Sequence, residues 1–233
     1  MILMNYKELE EKYEMGTYPK RDITIVSGKA ATLTNSEGKE YIDCAAGVGV
    51  ASIGNANPKL AEAISKQANT LITCYGAFYN DKRAQAAEKL IHITPKNLKK
   101  VFFSNSGTEA VEAAMKFARA TTGKPEIIAL MRGFHGKTMG SLSATWDKKY
   151  QKIFAPLMPG VKHVPSNNLE KLEAAMNENT AAVMIEIIQG EGGVRPLDEE
   201  YIKAVRKLTK EKNILLIVDE IQTGFCRTGK MFA

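Results

Sequence analysis

The run Ile214-Leu215-Leu216-Ile217-Val218, followed directly by Asp219, constrains the fold more than any other feature of the chain. Five apolar residues ending on an acid predict a strand buried on both faces, its last residue turning a carboxylate into a cleft. Ligands in open α/β sheets bind outside the carboxyl ends of such strands. Asp219 is therefore the first functional candidate. Only fourteen residues follow it, so the other parts of that cleft are expected earlier in the chain.

The pattern before it supports an α/β fold. Strands are predicted at Val101–Phe103, Ile127–Leu130, Val161–Val164, Ala181–Ile188 and Ile214–Val218. Helices are predicted over Glu109–Ala120, Leu169–Met176 and Asp198–Lys210. Strand and helix alternating in this way imply a mostly parallel sheet covered by helices. Ahead of it come a charged helix over 4–15, strands at Thr24–Leu33 and Glu40–Ile42, and a small-residue loop from Ala45 to Gly54. Helices follow from Pro58 to about Gln67 and over Asp81–Ile91. Residues 1–55 are expected to form an N-terminal segment and 56–233 the larger domain.

Charge and cysteine content narrow the function classes. The chain has 233 residues and a formal net charge of +6, but its basic residues are dispersed and never interleaved with aromatics. A solvated surface is expected instead of a nucleic-acid footprint. Three cysteines, Cys44, Cys74 and Cys226, are odd in number and lack metal-ligand spacing, which fits a reducing compartment. No apolar stretch reaches membrane-spanning length. The expectation is a soluble, cytoplasmic protein with no metal, membrane or nucleic-acid partner.

Three further segments carry chemistry. Ser104-Asn105-Ser106-Gly107-Thr108-Glu109 joins a strand to a helix. Hydroxyls and a glycine at a helix N-terminus suit an anion, and equally suit a plain N-cap. Gly133-Phe134-His135-Gly136 presents an aromatic between glycines, suited to stacking on a flat ligand, or to plugging a turn. His135 could be a ligand or base, but a lone histidine in a loop is more often structural. Ile185-Glu186-Ile187-Ile188-Gln189-Gly190-Glu191 places one acid in a strand and another in a glycine-rich loop, in different environments. Gly224 to Lys230 imitates a nucleotide phosphate loop, but Met231 replaces the metal-binding hydroxyl and the loop follows the acidic strand when it should precede it. Gly47, Gly49 and Gly54 lack the offset of a dinucleotide fingerprint.

Taken in order, Asn105-Ser106-Gly107-Thr108-Glu109-Ala110, Gly133-Phe134-His135-Gly136, Gln189-Gly190-Glu191-Gly192-Gly193 and Asp219-Glu220-Ile221-Gln222-Thr223-Gly224 resemble the class III (ω-amino) aminotransferases of fold type I. These are pyridoxal 5′-phosphate enzymes. The resemblance spans essentially the whole chain and is strongest to the branch acting on acetylornithine and acetyllysine. It implies that Ser106, Gly107 and Thr108 hold the cofactor phosphate, while Phe134 and Ile221 pack on opposite ring faces. It implies that Asp219 pairs with the pyridine nitrogen, that Gln222 bonds the phenolic oxygen, and that Glu186 lies close behind the ring. Glu191 matches a gating glutamate. The implied partners are an amino donor, 2-oxoglutarate and a second copy of the protein in a homodimer.

Two departures from the family pattern matter. Relatives carry arginine after Phe-His-Gly to grip the substrate carboxylate, whereas Lys137 stands here. Lysine keeps the charge and loses the planar fork, so an acetylornithine-like donor is preferred and a diamine such as putrescine, or 4-aminobutyrate, stays open. The family's Schiff-base lysine falls beyond residue 233, and Lys230 matches a different lysine. No catalytic residue is therefore assigned within the chain. The resemblance implies a sheet incomplete at the C-terminus, a cofactor site split between separated strands, and no transaminase activity from residues 1–233 alone. A non-catalytic remnant is the alternative of another class.

Overall fold

A computed structural model describes residues 5–233. Two compact units divide the chain, Met1–Asn80 and Asp81–Ala233.

In the first unit, α1 (Tyr6–Tyr13) starts at Asn5, whose side chain accepts from the Glu8 N–H; residue 4 of the predicted helix lies outside the described residues. Strands β1 (Ile25–Lys29), β2 (Thr32–Asn35) and β3 (Glu40–Ile42) form an antiparallel meander. The single strand expected over Thr24–Leu33 is thus two. Ala30 breaks it by adopting φ 52° and pairing its backbone with Asn55. Helix α2 (Pro58–Ala68) begins as expected, with Asn57 capping the N–H groups of Lys59 and Leu60.

The second unit carries α3 (Asp81–Ile93), α4 (Gly107–Thr122), β4 (Glu126–Leu130), α5 (Met139–Ala144), α6 (Lys148–Gln151) and β5 (Val161–Val164). It continues through α7 (Leu169–Ala175), β6 (Thr180–Ile185), β7 (Ile188–Gln189), β8 (Arg195–Pro196), α8 (Glu199–Glu211) and β9 (Leu215–Val218). Strands β5, β4, β6 and β9 lie in that order, all parallel. Period-two alternation divides the core between the two faces. Ile128, Leu130, Val183 and Ile185 pack with Leu172 of α7 and Tyr201 and Val205 of α8. Ile127, Ala129, Ala182 and Met184 pack with Val111, Met115 and Ala118 of α4 and Ala144 of α5.

Three strand expectations change. The strand buried on both faces is β6, all six of whose residues are buried. Among the described residues strand β9 has one neighbour and is an edge, leaving Leu215 and Val218 about two-fifths exposed (39% and 41%). Residues 101–103 form no strand; Phe102 and Phe103 are exposed, and Phe102 meets Phe117 of α4 edge-to-face at 5.4 Å. The strand expected over Ala181–Ile188 stops at Ile185, and Ile188–Gln189 pairs instead with Arg195–Pro196.

Candidate functional site

The carboxyl ends of β4, β6 and β9 bring the predicted acids to one place. The Asp219 N–H donates to the Ile185 carbonyl at 2.8 Å, which carries the β6–β9 ladder one residue further and sets the direction of the side chain. Asp219 Oδ1 accepts from the Ile221 N–H at 3.0 Å. Asp219 Oδ2 lies 2.8 Å from His135 Nδ1. Both side chains are buried, His135 at 0% and Asp219 at 6% exposure. A buried carboxylate needs hydrogen bonds to offset its desolvation, and His135 provides one from a different strand end.

His135 is fixed in turn. Its backbone N–H donates to Thr145 Oγ1 at 2.9 Å, and the Thr145 hydroxyl donates to the Gly136 carbonyl at 3.0 Å. His135 Nε2 has no hydrogen-bond partner. Glu186, at the end of β6, accepts the Phe134 N–H at 2.9 Å. Burial pushes the Glu186 carboxyl up to about 7, against the opposing pull of His135 and the Phe134 N–H. The Phe134 ring packs edge-on against Tyr150, with centroids 5.8 Å apart.

The N-terminus of α4 meets the same cluster. A Cβ on Gly107 would stand 2.8 Å from Ile221 Cγ2, so only glycine lets the helix start this close to the segment after Asp219. Gly136, at φ 126°, approaches Thr108 Oγ1 and Ser141 Oγ too closely to carry a side chain. The expected split of the site is therefore not seen. Residues 101–103 do lack a neighbouring strand among the described residues, but α4 is positioned from its other side, by its apolar face on the sheet and by hydroxyl contacts to residues 138 and 141.

The hydroxyls of the cradle are engaged internally. Ser106 caps α4, accepting the Glu109 N–H at 3.3 Å and donating to Glu109 Oε2 at 3.1 Å. Thr108 Oγ1 lies 2.6 Å from Ser141 Oγ. The plain N-cap is what the structure contains, and it is compatible with an anion because the first N–H groups of a helix have no intrahelical acceptor. Gln222 lies against Gly190, its amide oxygen filling the space a side chain there would need. Two predicted residues sit apart from the buried cluster. Lys137 is exposed, its Nζ 5.7 Å from the Tyr150 ring centroid, and Glu191 is exposed in its loop. Burial of Glu186 and exposure of Glu191 match the different environments expected for them.

No functional role was legible in the sequence for Thr145, Glu112, Thr138 or Ser141, and for His135 the ligand-or-base reading stood second to a structural one. The only signal for His135 was its place between glycines just after a strand.

A helix-covered parallel sheet with a buried acid at one strand end and a capped helix start beside it has the layout of an α/β ligand site. Comparison with known proteins narrows that class. The family model of aminotransferase class-III matches residues 16–233. The [LysW]-aminoadipate semialdehyde transaminase of Deinococcus radiodurans is 47% identical over 226 residues, covering 96% of this chain and 53% of the relative. The acetylornithine aminotransferase of Methanopyrus kandleri is 46% identical over 230 residues, covering 99% and 59%. The ornithine aminotransferase of Toxoplasma gondii, solved with pyridoxal phosphate partly occupying its active site, superposes with a TM-score of 0.91 at 32% identity, covering 97% and 55%. The chain belongs to the class-III aminotransferases and has the α/β fold of pyridoxal-phosphate transferases. It spans slightly more than half the length of these relatives.

The residues present fit that cofactor. A capped helix start offers backbone N–H groups to an anion, and the buried Asp219 carboxylate offers a partner to a cationic ring nitrogen.

Proposed function

We propose that the complete protein moves the terminal amino group of an N-acylated diamino acid, acetylornithine-like, to 2-oxoglutarate in cytoplasmic arginine or lysine biosynthesis. The observation that carries this reading is the buried Asp219–His135 pair, seated beside Phe134, Glu186 and the start of α4. The likeness to acetylornithine and aminoadipate semialdehyde transaminases supports the substrate class.

Each residue then has a task. Backbone N–H groups of Gly107 and Thr108, set by the Ser106 cap, hold the phosphate. Phe134 and Ile221 bracket the ring, and Gln222 bonds its phenolic oxygen. Asp219 holds a proton at the pyridine nitrogen, since a nearby opposite charge favours the charged form. His135 keeps Asp219 oriented, and Glu186 fixes the Phe134 backbone. Pyridoxal phosphate supplies an electron sink for the substrate carbon that loses its proton. Lys137 meets the substrate carboxylate, and Glu191 gates the exchange of donor for acceptor. The family's covalent lysine matches no lysine in residues 1–233, so those residues alone do not transaminate. The complete protein acts as a homodimer, with residues 1–55 in its small domain and 56–233 in its large one.

Lys137 in place of the family's arginine favours one second reading, a diamine donor that has no carboxylate to grip. The complete gene product assayed with acetylornithine and with putrescine, each against 2-oxoglutarate, separates the two. Turnover of acetylornithine is expected. Turnover of putrescine alone would overturn the acylated reading, and turnover of neither would contradict the biosynthetic assignment.

A further inference from the structure

Glu112 lies on α4 beside the core residue Val111, and its carboxylate is directed at the segment that follows the Phe134–His135 turn. Its Oε1 accepts the Gly140 N–H at 2.8 Å, the Ser141 N–H at 3.0 Å and the Thr138 hydroxyl at 2.6 Å. These donors belong to the start of α5, where Thr138 sits at the cap position but makes no capping bond of its own. An acid from another helix thus does the capping. Thr108 joins the same knot: its hydroxyl lies 2.8 Å from Thr138 Oγ1 and 2.6 Å from Ser141 Oγ, and accepts the Thr138 N–H at 3.2 Å. Docking of α4 on the sheet does not depend on Glu112, because Val111, Met115 and Ala118 supply its buried face. The acid instead fixes where the helix start stands relative to residues 134–138.

We propose that Glu112 is a positioning residue: it sets the spacing between the phosphate-holding start of α4 and the turn that carries Phe134 and His135. This assignment rests on the pyridoxal-phosphate reading, because both ends of one rigid cofactor must be met at once. A phosphate and a ring in the same molecule tolerate little change in that spacing. Displacement of a positioned group by about 1 Å can cost on the order of 10²-fold.

The test measures pyridoxal phosphate affinity by equilibrium dialysis on the complete protein stripped of cofactor, alongside its melting temperature. Glu112→Ala, which leaves three donors without their acceptor, is expected to weaken affinity roughly ten- to hundredfold. Glu112→Gln keeps an oxygen in the same place and is expected to recover most of that loss. The circular dichroism of bound cofactor, which reports ring orientation, is expected to change in Glu112→Ala and return in Glu112→Gln. An alanine variant with unchanged affinity overturns the assignment. So does a loss that follows the melting temperature and is not recovered by glutamine. If the alanine variant does not fold, Thr138→Val decides: severalfold weaker binding supports the assignment and unchanged binding overturns it. A parent protein that binds no pyridoxal phosphate overturns the cofactor reading and this assignment with it, whereas an unchanged alanine variant overturns the assignment alone.

Discussion

The two sides of the candidate site are built differently. On one side, His135, Glu186 and Asp219 are buried and Phe134 half-buried, joined by short hydrogen bonds from three strand ends. On the other, Lys137 and Glu191 are exposed. Buried polar groups carry a desolvation cost that only fixed partners offset, so the first side has one arrangement. Exposed side chains retain rotamer freedom and contribute little until a ligand orders them. The side assigned to cofactor charge is thus pre-organised, and the side assigned to substrate is adaptable. Donor identity in such a site can change without rebuilding the charge-handling core.

The largest effect expected from this contrast is at Asp219. Asp219→Asn removes the carboxylate assigned to the ring nitrogen, and loss of one preorganised electrostatic contact of this kind costs roughly 10²- to 10³-fold in kcat. Steady-state kcat of the complete protein should fall by that much, with pyridoxal phosphate affinity reduced as well. A tenfold loss or less would place the ring charge elsewhere.

Next comes Glu186, whose carboxyl rises from an ordinary 4.5 to about 7 in the fold. The folded state keeps the proton between those values while the unfolded chain has released it, so the Glu186 contribution to stability falls as pH rises through that window. Glu186→Gln removes this loss. Urea denaturation at pH 5 and pH 8 should show the variant gaining on the parent by up to about 3 kcal/mol at the higher pH. An equal difference at both values would contradict a neutral buried acid.

A third effect tests the packing that draws the two sides together. Gly136→Ala, at φ 126° and against Thr108 and Ser141, should destabilise the fold by about 2–3 kcal/mol. Unchanged stability would mean the turn can retreat from α4.

The smallest effect is expected on the exposed side. Lys137→Ala should raise the Michaelis constant for acetylornithine about tenfold, the low end for a charge-assisted hydrogen bond. Lys137→Arg should hold or lower it. Identical kinetics in both variants would remove residue 137 from substrate binding.

The same contrast governs what the sequence made legible. Helices α4 and α8 and strands β4 and β5 were visible because apolar spacing records one buried face or a two-sided burial. Asp219 was visible because an acid ending an apolar run is rare and has a physical meaning. The strand expected at Val101–Phe103 failed because an apolar triplet shows β preference but not whether a strand lies beside it. Helix α5 was invisible because Met139-Gly140-Ser141-Leu142-Ser143-Ala144 has weak helix propensity and takes its cap from Glu112, 26 residues before Thr138. Strand β6 was overextended because an apolar run cannot report that Ile188–Gln189 leaves the sheet to pair with Arg195–Pro196. His135 was read as structural because its partner is 84 residues away. Pairings across that distance are tertiary facts with no local signature.

Central to this reading is that the charge-handling half of a pyridoxal-phosphate site is complete within residues 1–233, while its covalent lysine is not among them. Equilibrium dialysis of this polypeptide and its Asp219→Asn variant with pyridoxal phosphate, followed by borohydride reduction and peptide mass mapping, tests it most directly. Saturable binding that Asp219→Asn abolishes is expected, with no single lysine carrying a stoichiometric pyridoxyl group. Binding indifferent to Asp219, or one fully labelled lysine at Lys230 or elsewhere, would contradict it.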